Sequence, residues 1–105
     1  MTKKQKPVLE STIEKYLIKL CKDNDIFILK NTGMAGIPDR LLIKNGRHVF
    51  VELKRPGGKP TDLQVEVMHR LYKHGALCVV VDSKEAALSI VNEILDPRDL
   101  KSYMK

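Results

Sequence analysis

Apolar positions along this chain change period several times, and each change marks an element. From Leu9 to Asp23 the residues Ile13, Leu17, Leu20 and Cys21 stand at i, i+4, i+7 and i+8, the stripe of an amphipathic helix. Asp25 to Asn31, with Ile26, Phe27, Ile28 and Leu29 in succession, predicts a first strand. The following Thr32–Pro38 is a glycine-bearing loop, and Pro38 has no N–H for a central ladder position. Two strand-like runs, Asp39–Lys44 and Arg47–Lys54, then flank Asn45-Gly46. That dipeptide is the preferred two-residue type I′ hairpin turn, because both central residues need φ > 0. A second loop, Arg55–Pro60, leads to a helix over Asp62–His74, with Thr61 and Gln64 at capping-box spacing and Gly75 as its stop. The β-branched run Ala76–Val81 predicts a buried strand. Asp82 with Glu85 opens a last helix that carries Ala87, Ile90, Val91 and Ile94 on one face and ends before Pro97. The order α-β-β-β-α-β-α makes this an α/β fold, a small mixed β-sheet with a central Asn-Gly hairpin flanked by helices.

At 105 residues the chain supports one domain with one core, residues 1–105, with basic segments at 1–7 and 98–105 as a leader and a tail. With 43% hydrophobic and 30% charged residues, it is too apolar for intrinsic disorder. Ala76–Val81 is also its longest apolar run, far short of the ~20 residues of a membrane span. The lysine-rich start lacks the apolar stretch of a signal peptide. These features predict a cytoplasmic protein with no membrane partner. Cys21 and Cys78 lie in apolar stretches without CxxC or Cys/His spacing, which fits reduced, buried thiols. A net charge of +6 favours a polyanionic partner through counterion release, although many small proteins are simply basic.

The hairpin register brings the chemistry together. A two-residue turn at Asn45-Gly46 pairs positions whose numbers sum to 91, and so sets Asp39 opposite Glu52. Directly opposed residues project from one face with Cβ atoms about 4.5–5.5 Å apart, and like charges so placed destabilise the pair. A shared proton, a cation or a bound metal must offset the repulsion. Lys54, two residues beyond Glu52, falls on the same face. Two carboxylates and an ammonium suit Mg²⁺, which takes one or two carboxylates and accepts substrate phosphate oxygens. The same residues also make an ordinary exposed sheet edge with a Glu–Lys pair.

Two further residues admit two readings each. Glu10 falls roughly 60° from Ile13 around the helix, between Leu17 and Cys21, so it either faces the body of the protein or complements the helix dipole at the N-terminus. Glu14 lies at the edge of the stripe, in solvent. Gln64 either completes the Thr61 capping box or, sharing a face with Val67, Met68 and Leu71, points toward the hairpin end. His48, His69 and His74 carry no metal spacing, and the Gly57-Gly58 loop lacks the context of a P-loop.

Taken in order, Glu10-Ser11-Thr12-Ile13 opening a helix, Gly36-Ile37-Pro38-Asp39, Val51-Glu52-Leu53-Lys54, then Pro56-Gly57-Gly58-Lys59 and Gln64 resemble the VRR-NUC family of the PD-(D/E)XK nuclease superfamily. The resemblance runs from about Glu10 to Asp82. It implies a restriction-endonuclease-like fold and a Mg²⁺- or Mn²⁺-dependent phosphodiesterase acting on DNA. In that reading Asp39 and Glu52 hold the metal with the backbone carbonyl of Leu53, and Lys54 orients or activates the attacking water. Gln64 supports the water, and Glu10 reaches the metal's outer shell. The chain looks like the short viral and bacterial versions, which are similar to Holliday-junction resolvases and are expected to be homodimers on branched DNA. Lys30, Arg55 and Lys59 are candidates to track phosphates. The alternatives are a less selective endo- or exonuclease with the same site, and a catalytically silent DNA-binding module.

Overall fold

The computed structural model describes residues 7–96. The elements run α1 (Glu10–Asp23), β1 (Phe27–Lys30), β2 (Arg40–Lys44), β3 (Arg47–Leu53), α2 (Asp62–Lys73), β4 (Leu77–Val81) and α3 (Lys84–Leu95), the order expected from the sequence. The leader and tail expected at 1–7 and 98–105 lie, Pro7 apart, outside the described residues. No helix among the described residues is long and apolar enough to cross a membrane.

The four strands form one sheet in the order β1-β2-β3-β4. β1–β2 and β2–β3 are antiparallel, and β3–β4 is parallel. The hairpin keeps the predicted register, with Lys44 opposite Arg47 and Arg40 opposite Val51. Asn45 and Gly46 both take positive φ, 49° and 81°, as a type I′ turn requires.

Strand alternation sorts side chains to the two faces. Leu42, Val49, Val51, Leu53, Leu77 and Val81 pack with Ile13, Leu17 and Cys21 of α1 and with Ala87, Ile90, Val91 and Ile94 of α3 in a single core. On the other face Cys78 reaches α2, its Sγ 4.0 Å from the Met68 carbonyl oxygen. Both cysteines are free thiols, Cys21 buried and Cys78 half-buried. Burial pushes each thiol up to about 11, so both stay protonated near neutrality.

Two local expectations change. The run at 76–81 is not a buried strand. It lies at the edge of the sheet with a neighbour on one side only, so Val80 is 39% exposed while Leu77 and Val81 are buried. The cap of α3 is Ser83, not Asp82: the Ser83 Oγ accepts from the Ala86 N–H at 3.0 Å. At the far end of α3, Arg47 Nε donates to the Ile94 carbonyl at 2.7 Å, so β3 supplies the cation that the last helical turn lacks.

α2 presses on the β1–β2 loop at Gly36. A Cβ there would stand 2.8 Å from Leu63 Cγ and 3.1 Å from the Leu63 carbonyl oxygen, at a φ of +83°. Gly33, in the same loop with φ +89°, has nothing within 4 Å. Gly36→Ala is therefore expected to cost about 2–3 kcal/mol in urea denaturation, against about 1 kcal/mol for Gly33→Ala. Equal losses would mean that only backbone conformation matters in this loop.

Candidate metal centre

Asp39 stands one residue before β2, and Glu52 is the penultimate residue of β3. One step past the Arg40–Val51 pair, the register places the two opposite each other. Asp39 is half-buried and is held in place: its Oδ2 accepts from the Leu53 N–H at 2.8 Å. Glu52 is 1% exposed, the buried charged residue of the described core. Neither of its carboxylate oxygens has a hydrogen-bond partner.

An ionised carboxylate in that position is costly. Burial raises the Glu52 carboxyl from its ordinary 4.5 to about 8, helped by the neighbouring Asp39 carboxylate and by the negative charge of Glu10. The Lys54 ammonium opposes the rise. Without a cation, Glu52 therefore holds a proton near neutrality. Among the described residues no group of three or more His, Cys, Asp or Glu side chains is disposed to hold a metal. The donor set is the Asp39–Glu52 pair. An oxygen-only pair with two unpartnered buried oxygens fits a hard cation that keeps several of its waters.

Lys54 follows β3 and is half-buried, its backbone N–H donating to the Val81 carbonyl at 3.0 Å. It lines an open cleft of about 560 Å³ with Leu9, Glu10, Ser11, Arg55, Gly58 and Lys59. Three cations against the single carboxylate of Glu10 suit a phosphate chain. Leu9 gives the start of α1 no side-chain cap, so its first-turn N–H groups add to the positive field.

Glu10 does not face the core. It is exposed, yet close enough to Glu52 to influence its ionisation. Residues 7–12 are all exposed, so the first turn of α1 stands clear of the core. Glu14 is only partly exposed, and its Oε2 accepts from Arg40 Nε at 2.9 Å, which pairs it with β2. Gln64 completes the capping box, its Oε1 accepting from the Thr61 N–H at 2.8 Å and its N–H donating to Thr61 Oγ1 at 3.2 Å. Only its Nε2 is left for another role. Lys30 is exposed at the end of β1, opposite Arg40 and outside the cleft that holds Arg55 and Lys59.

Sequence reasoning missed Arg40 and Asn31. Arg40 ties β2 to α1 through Glu14. Asn31 ties the loop that carries Asp39, with Nδ2 donating to the Pro38 carbonyl at 2.8 Å. A polar residue between the first strand and a glycine-bearing loop was the available signal.

The raised Glu52 carboxyl links stability to pH. The folded chain binds this proton more tightly than the unfolded chain, an advantage complete below about pH 4.5 and lost as pH rises to about 8. The melting temperature of the chelator-treated protein is expected to fall across that window, by an amount on the order of a few kcal/mol in stability. Glu52→Gln should flatten the fall, and Mn²⁺ added at pH 8 should restore the loss. A melting temperature that rises over the same range would contradict a protonated Glu52.

No family model matches the chain. A protein of Acyrthosiphon pisum secondary endosymbiont phage 1 named "Putative nuclease p44" is 37% identical over 81 residues, 74% of this chain and 87% of the phage protein. A solved structure described as a VRR_NUC domain superposes with a TM-score of 0.70 at 28% identity, covering 79% of this chain and 94% of that one. The α-β-β-β-α-β-α order and mixed four-stranded sheet match that fold. The chain belongs to the VRR-NUC family of nucleases.

Proposed function

We propose that the protein is a divalent-metal-dependent, structure-selective DNA endonuclease of the PD-(D/E)XK type, acting as a homodimeric Holliday-junction resolvase. The observation that carries the metal reading is Glu52, whose two buried oxygens lack any hydrogen-bond partner although the Asp39 carboxylate stands next to them. A cation there would take the place of the Glu52 proton.

Asp39 and Glu52, with the Leu53 carbonyl, hold Mg²⁺ or Mn²⁺. When bound, the ion lowers the pKa of water and offsets charge on the scissile phosphate. The chain does the rest. Lys54, on the Glu52 face, orients the attacking water and stabilises negative charge as it develops on the phosphate. Glu10 accepts hydrogen bonds from water on the outer side of the site. The Gln64 Nε2 donates to the same water network. Arg55 and Lys59 hold the DNA backbone along the cleft, and Lys30 meets phosphates farther out. None of these cations sits on a base-reading element, which favours recognition of DNA shape over sequence. Symmetric cutting of a four-way junction requires two such sites related by a two-fold axis, hence the homodimer.

The test is cleavage of end-labelled four-way junction, flap, nicked duplex and single-stranded DNA, with Mg²⁺ or Mn²⁺ against chelator. Paired symmetric cuts in the junction, abolished by chelator and by Asp39→Ala, are the expected result. Lys54→Met should lower kcat by about 10²–10³-fold while leaving Mn²⁺ binding in place. Cutting of every substrate would retain the metal site and remove the resolvase. DNA binding without cutting, unaffected by chelator, would instead make the protein a binding module.

A further inference from the structure

The chain reaches Asp39 through the loop between β1 and β2, and one residue ties the base of that loop twice. The Asn31 backbone N–H donates to the Asp39 carbonyl at 2.9 Å, which carries the β1–β2 ladder one step past the Lys30–Arg40 pair. The Asn31 side chain, half-buried, donates from Nδ2 to the Pro38 carbonyl at 2.8 Å. Pro38 is fully buried and its ring fixes φ, so the orientation of the peptide after it rests on ψ, and this bond to its carbonyl holds that orientation. That plane joins Pro38 to Asp39. On the far side, the Leu53 N–H grips the Asp39 carboxylate itself. The tip of the loop is held separately, where Gly36 packs on Leu63.

We propose that Asn31 is a positioning residue for the nuclease site: its side-chain amide fixes the Pro38–Asp39 peptide and so sets the Asp39 carboxylate against Glu52. The need for such a device is electrostatic. Asp39 and Glu52 repel each other, and a carboxylate on an untied loop would swing toward water. With the peptide fixed, the pair stays assembled before a cation arrives, and the ordering cost is met during folding. Asn31 touches neither the substrate nor Glu52 in this account. It acts through Asp39, and the inference rests on the cation reading of that pair.

Asn31→Ala and the near-isosteric Asn31→Asp, each in the full chain, separate positioning from plain structural support. Three quantities are read: the Leu53 amide by NMR without metal, Mn²⁺ affinity by calorimetry, and kcat against KM on cleavable DNA. Positioning predicts a near-native circular dichroism spectrum, a shifted and faster-exchanging Leu53 amide, and a Kd for Mn²⁺ raised about 10–100-fold. It also predicts a lower kcat at unchanged KM. A lowered melting temperature with the Leu53 amide and Mn²⁺ affinity unchanged would overturn it. So would loss of the fold in both variants, because Asn31 would then support the whole domain. Failure of the unsubstituted protein to bind Mn²⁺ would remove the cation reading, and the Leu53 amide would alone decide whether Asn31 positions Asp39.

Discussion

Two carboxylates held against each other at the end of a hairpin are the constraint around which this domain is arranged. Strand pairing places Asp39 opposite Glu52, and burial denies Glu52 the water that would weaken the repulsion. The surroundings answer that demand. The Leu53 N–H holds one carboxylate, the Lys54 charge favours the ionised form of the other, and a proton on Glu52 covers the remainder. Such a pair is costly as a structural element and suited to a cation. Its energetic cost therefore points toward chemistry.

Stability and chemistry use the same strand. Val49, Val51 and Leu53 send their side chains into the core, while Phe50 and Glu52 between them face the other way. A slip of one residue in register would exchange the two sets and bury the wrong one. The Asn45-Gly46 turn prevents that slip from the end of the hairpin opposite the site. α1 divides its work along its length. Ile13, Leu17 and Cys21 anchor it in the core, Glu14 ties it to Arg40 of β2, and its exposed first turn brings Glu10 to the cleft.

Where the sequence reading erred, the neighbour was the missing information. A helical wheel gives Glu10 an angle around α1 but contains no statement of where the opposing layer ends. Glu10 lies past that limit. Glu14, at the edge of the stripe, meets a cation from another strand, 26 residues away, which no local pattern encodes. The run 76–81 shows the same gap: an apolar strand reads alike at the centre or the edge of a sheet, and only strand order distinguishes them.

Local physics sufficed for what local physics controls. The turn needs positive φ, the capping box needs Thr61 and Gln64 three apart, and the helical stripes need their spacing, so each is written within a few consecutive residues. The hairpin then extended that reach to a nonlocal fact, because a two-residue turn dictates every pair along both strands, Asp39 and Glu52 included. The burial of Glu52, the absence of partners for its oxygens, and the clamp of Asn31 on Pro38 were decided by tertiary structure. Desolvation and hydrogen bonding depend on which layers cover a residue and which loop closes on which strand. Those are properties of the packed chain, and they separate a charged sheet edge from a buried carboxylate pair suited to a cation.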